Sequence, residues 1–153
     1  MTTKILQIYE AITALCEANL TDYTRLPNAY SIDANTMLNL KQGFAVGIGP
    51  GNDTEKYATG LMSWERLYNI TLVRQVLTTQ NNTTVRETIE KSIVDDLETL
   101  RIAIRNSANL NGLIATKSTI RADGGMNFID GNTQKFLGLE IQLIVDYEFD
   151  PNT

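Results

Sequence analysis

The sequence predicts an α/β (α+β) protein. Its elements run α-β-β-α-β-β, with a mixed or antiparallel sheet of about four strands and two helices packed on one of its faces. Three stretches carry this prediction. From Val85 to Ile104, apolar residues return at three- and four-residue steps; from Ser63 to Thr79, and again from Leu139 to Phe149, they alternate with polar ones.

The elements follow in order. Ile5, Ile8, Ile12 and Leu15 recur at helical spacing, which predicts an amphipathic helix over about residues 3–20, and Pro27 lies beyond its end. Residues 21–42 are polar and mixed, and read as an irregular entry or a short strand. Phe44 to Ile48 reads as a strand, and Pro50-Gly51-Asn52-Asp53 follows with turn chemistry. In the long strand 63–79, Trp64, Tyr68, Ile70, Leu72 and Val76 share one parity, which Arg66 and Arg74 interrupt. Gln80 to Thr83 reads as a loop, and Thr84 with Glu87 forms a capping-box signature. Val85, Ile89, Ile93, Leu97, Leu100 and Ile104 then predict a helix over about 85–106, stopped by Asn106-Ser107-Ala108-Asn109. Leu113 to Ala122 reads as a strand, Asp123-Gly124-Gly125 as a bulge or turn, and Met126 to Ile129 as a continuation. After a turn at 130–132, Leu139, Ile141, Leu143, Val145, Tyr147 and Phe149 face one way. Glu140, Gln142, Asp146, Glu148 and Asp150 face the other, and only Ile144 intrudes. The last two strands read as a hairpin, and the polar sheet face should meet water or a polar partner.

Composition narrows the function. At 153 residues the chain suits a single domain over 1–153. Aromatic residues are only 7%, so the core should be aliphatic. Cys16 stands alone, so no internal disulfide can form, and its helical context predicts a buried, inert thiol. The first 20 residues include Glu10 and Glu17, which a signal-peptide core would not hold, and no apolar run approaches membrane-spanning length. Net charge is −5 with no Lys/Arg run, so duplex DNA should be repelled rather than gripped. Histidine is absent, which removes Ser-His-Asp, Cys-His and HExxH chemistry.

The remaining candidates are weighed individually. Gly47, Gly49 and Gly51 give G-x-G-x-G, with no G-K-[ST] and no helical stripe after it. Asp53 and Glu55 would repel phosphate. The run therefore reads as a strand end and hairpin tip. Asp95 and Asp96 point about 100° apart on their helix and read as a solvated face. Asp146, Glu148 and Asp150 share a strand face with like charges about 7 Å apart, a spacing a carboxylate hydrolase could use, though nothing marks an apolar pocket around them. Asp123 to Asn132 offers oxygens, but not at EF-hand spacing. No catalytic, cofactor-binding or metal-binding residues are assigned. Possible interface residues are Trp64, Arg66, Arg74, Asp123, Met126, Phe128 and Asp130. Arg66 and Arg74 could pair with the strand carboxylates across a seam between subunits.

Several segments together resemble the tail-terminator and tail-completion proteins of long-tailed bacteriophages. They are KILQIYEAITALCE, the glycine-bearing GFAVGIGPG, SWERLYNITLVRQVL, the capped helix VRETIEKSIVDDLETLRIAIRN and the closing FLGLEIQLIVDYEFDP. The likeness is one of layout over nearly the whole chain. It implies a non-enzymatic structural virion protein, assembled in the host cytoplasm and located in the tail or neck. Such a protein forms a hexameric ring that caps the tail tube, stops its polymerisation and meets the head connector. DNA passes through the lumen without specific binding. Ring formation would cover strand edges, and the stretches 47–62 and 122–135 would reach neighbouring rings as loops. A head–tail joining protein of similar fold is the alternative. A carboxylate-dependent enzyme and a small-molecule or peptide-binding module are readings of other classes.

Overall fold

The computed structural model describes residues 3–26, 41–54, 62–76, 83–130 and 135–149. The chain forms α1 (Lys4–Asn19), β1 (Thr24–Arg25), β2 (Gln42–Thr54), β3 (Met62–Val76), α2 (Thr83–Asn106), a single π-type turn (Asn109–Leu113), β4 (Lys117–Asp130) and β5 (Lys135–Phe149). The strands make one five-stranded sheet in the order β1-β2-β3-β5-β4. β1 lies parallel to β2, and the other neighbours are antiparallel.

This corrects the predicted fold in strand number and element order. The sheet has five strands rather than about four, and three strands, not two, separate the helices. The extra strand, β1, is two residues long and so carries no periodicity. It is held by its surroundings: Leu26 N–H donates to Phe44 O at 2.7 Å. A Cβ on Gly43 would lie only 3.1 Å from Thr24 O. Two boundaries also move, and the bulge expected at Asp123–Gly125 is present. β2 does not turn at Pro50; it continues to Thr54 through a register shift between Ile48 and Gly51. Proline is tolerated in a strand at a bulge or on an edge; here it lies at a bulge, and among the described residues nothing pairs with β2 on its other side at that point. Leu113 to Thr116 are not strand, because the π-type turn and the bends after it occupy them. The Asp123-Gly124-Gly125 stretch bulges within β4, and Gly125 takes φ 71° there. Most of 47–62 and 122–135, predicted as loops, is therefore strand. The predictions for 27–40, for the loop at 80–82, for the side chain of Thr84 and for the turn at 131–132 lie outside the described residues.

Both helices pack on one sheet face. Ile8, Ile12 and Cys16 of α1 and Ile93, Leu97, Leu100 and Ile104 of α2 meet Phe44, Tyr68, Ile70, Leu72 and the odd-numbered residues Leu137–Tyr147 of β5 in one cluster. Each fully buried aliphatic side chain contributes about 1.5–3 kcal/mol, so the helical stripes and strand alternation sort themselves onto this face. Tyr68 is fully buried, and its hydroxyl donates to Ile5 O at 2.9 Å, tying β3 to the first turn of α1. Thr3 caps α1 by accepting from Leu6 N. The far face is not uniformly polar. Ala45, Val73 and Phe136, on the opposite parity, are also buried.

Candidate functional site

The glycine run is shaped by an arginine. Arg66 stands opposite Gly51 across the β2–β3 ladder, and its guanidinium donates to Gly49 O at 2.9 Å. A Cβ on Gly51 would sit 2.7 Å from that guanidinium, and one on Gly49 would sit 2.9 Å from Leu67 O. The two glycines make room at a bulge. Their backbone lies in a strand and opens no helix, so the geometry of a phosphate cradle is missing here.

Trp64 and Arg66 lie on the helix-bearing face, near the first turn of α1. Trp64 pairs with Tyr147 across the ladder and is half-buried. With Thr3, Lys4, Ile5 and Tyr147 it lines an apolar cleft of about 240 Å³. Arg66 Nε is buried without a hydrogen-bond partner.

Arg74 sits toward the other end of β3 and does not reach the strand carboxylates. Its partners are in its own chain. Nε donates to Tyr23 Oη at 3.0 Å, Nη2 to Asp96 Oδ2 at 2.8 Å, and the Tyr23 hydroxyl also donates to Asp96. The guanidinium lies 5.4 Å from the Tyr23 ring centroid. Asp96 is therefore not part of a solvated face; it is half-buried in a three-residue cluster, while Asp95 is exposed. Burial, reinforced by the hydrogen bond to Asp96, pushes the Tyr23 hydroxyl up. Burial pulls Arg74 down, but its bonds to Tyr23 and Asp96 outweigh that and leave it raised. The cluster stays protonated at tyrosine and arginine through the physiological range, which suits a structural tie.

Asp123 and Met126 flank the bulge of β4. Asp123 accepts from Arg101 of α2 at 3.0 Å, and Arg101 also bonds Glu98. Met126 is half-buried beside Glu87, Lys91 and Val94, where a cleft of about 300 Å³ runs along α2. Phe128 and Asp130 pair in register with Leu137 and Lys135, and their side chains lie outside the described residues. The seven residues thus fall in separate places: one end of β3, its other end, and the edge strand under α2.

The strand carboxylates gain a neighbour that sequence reading missed. Glu65 stands directly opposite Asp146 on the outer sheet face, with Glu148 two residues on, opposite Ser63. Among the described residues none of the three carboxylates joins an ion pair. Asp150 lies outside the described residues. Register alone produced the Glu65–Asp146 pair, and no local signal announces register between strands so distant in sequence. Arg101 and Arg105, at i and i+4 on α2, were legible as one helix face. With Ile104, Lys117 and Ile120 they line an open groove of about 500 Å³ between α2 and the start of β4.

Cys16 is fully buried, and burial, with Glu17 adding, pushes its thiol up to about 12, so no thiolate forms near neutral pH. Among the described residues no three Cys, Asp or Glu side chains converge as a metal site, and no helix is long and apolar enough to cross a membrane. No family model and no curated protein matches this chain.

Proposed function

We propose that this chain is a structural virion protein, a tail terminator that forms a hexameric ring, caps the tail tube and meets the head connector. The observation that carries the reading is the shape of the sheet. β2, β3, β4 and β5 run 13, 15, 14 and 15 residues, against 16 for α1. At about 3.3 Å per strand residue and 1.5 Å per helix residue, the strands are roughly twice as long as that helix. α2, at 24 residues, is also shorter than the strands, so they carry sheet surface beyond the reach of either helix, and such surface is suited to contact with other subunits. Two sequence facts support the reading: the segment layout resembles tail terminators, and a chain without histidine lacks the commonest general base.

The test has two parts. Native mass measurement with negative-stain imaging should find a ring of six. Purified protein added to polymerising tail tubes should bind tube ends and limit tube length. Binding to the connector but not to tube ends would move the assignment to a head–tail joining protein. A monomer that binds neither would overturn both.

A further inference from the structure

The two sides of the sheet carry complementary surfaces. On the helix side, the groove between the second half of α2 and the start of β4 has Ile104 and half-buried Ile120 at its floor. Arg105 stands exposed on its helical wall beside Arg101, which is bonded to Asp123 and Glu98, and Lys117, at the strand edge, is in register with Asp146 and takes the parity of the outer face. Ser118 and Ile120 pair with Val145 and Leu143, whose side chains lie in the core, which fixes this groove to the helix-bearing side. On the outer side, Leu67 and Ile144 stand opposite one another, both half-buried, and form a small apolar centre. Beside them lie the directly opposed Glu65–Asp146 pair, with Lys117 in register on the other side of Asp146, and exposed Glu148. Like charges directly opposite across strands repel, and among the described residues no cation forms an ion pair with these three. One surface is apolar with exposed Arg105 on its wall, and the other is apolar beside three carboxylates and one lysine.

We propose that the α2–β4 groove seats the outer sheet face of a second copy of this chain. Arg105 approaches Glu65 and Glu148, and the Leu67–Ile144 pair fills the groove above Ile120. The inference rests on the ring reading above and names its seam. Because the two surfaces differ and lie on opposite sides of the sheet, one copy's front meets the next copy's back. That contact is heterologous, the kind that closes into a ring when its rotation permits.

Charge reversal tests it. Arg105 and Glu148 are exposed, and Glu65→Lys removes a repulsion, so Arg105→Glu and Glu65→Lys/Glu148→Lys should both fold. Unchanged far-ultraviolet dichroism and melting temperature would establish that. By native mass and sedimentation, each variant alone should lose the wild-type assembly or form it at least tenfold more weakly. An equal mixture should recover it, with the two variants alternating. A wild-type ring that both variants form equally well overturns this seam and leaves the ring reading standing, as does a mixture that recovers nothing. A wild type that never assembles, alone or on tubes, overturns both.

Discussion

Arg66 and the backbone of Gly49–Gly51 define each other, and the two glycines differ in what a methyl group would strike. At Gly51 the obstacle is the far end of a flexible side chain; at Gly49 it is the carbonyl of Leu67. Gly51→Ala should therefore cost about 1 kcal/mol as the guanidinium swings off Gly49 O, and Gly49→Ala about 2–3 kcal/mol as strands are pushed apart. In an Arg66→Ala background the Gly51→Ala cost should vanish while the Gly49→Ala cost persists. Urea denaturation of the single and double variants checks this. Cys16 gives a pH dependence. Its thiol titrates at 9.0 when unfolded and is pushed up to about 12 in the fold. A raised native value means stability is complete below pH 9 and is lost as pH climbs from there toward 12, by the order of a few kcal/mol at the top of the range. Buried Tyr23 and Tyr68, both held up mainly by desolvation, act in the same direction above pH 10. Chemical denaturation between pH 8 and 11 should show the decline, and Cys16→Ala should remove the part that begins nearest pH 9.

At the scale of elements, the sheet's two edges are blunted within the chain itself. Beyond Phe44, the outer edge of β2 has no described neighbour, and Pro50 and the bulge interrupt it. On β4, Ser118 N–H is captured by Asn111 Oδ1 at 3.1 Å, and two register shifts follow. Proline, bulges and local capping are the devices that keep edges from templating further strands. Pro50→Val combined with Asn111→Ala should raise open-ended aggregation. Thioflavin fluorescence rising several-fold over wild type at equal concentration is the expected result; no rise would mean the edges are protected by something else. The Tyr23–Arg74–Asp96 cluster works at the same scale. It ties the segment after α1 to β3 and α2, and it leaves Arg74 committed inside the subunit.

At the scale of the molecule, the sheet divides two environments. One face holds both helices and the aliphatic core. The other is apolar at the end carrying Ala45, Val73 and Phe136, and acidic at the end carrying Glu65, Asp146 and Glu148. An assembly built through the acidic end should respond to salt. The Debye length falls from about 10 Å at 0.1 M to about 3 Å at 1 M, so sedimentation should show weaker assembly at the higher salt. Insensitivity to salt would indicate contacts dominated by apolar surface. In the proposed ring, face-to-back association would leave the two rims unlike, as a terminator would require.

Local residues alone were enough for both helices, for the long strands β3 and β5, for the closing hairpin and for the inward parity of β5. Each rests on a periodicity of 3.6 or 2 that local residues carry whatever their partners. The composition also determined, through the absence of histidine, which chemistries are closed to the chain. Long-range packing settled the remainder. β1 is too short for any period. β2 passes Pro50 because a bulge interrupts the ladder there. Arg66 and Arg74 break the apolar parity because each finds partners, in the Gly49 carbonyl and in the Tyr23–Asp96 pair, that lie 17 or more residues away. Glu65 and Asp146 meet through strand register. Register and long-range pairing are set by which surfaces bury together, and no window of the chain holds both halves of that information.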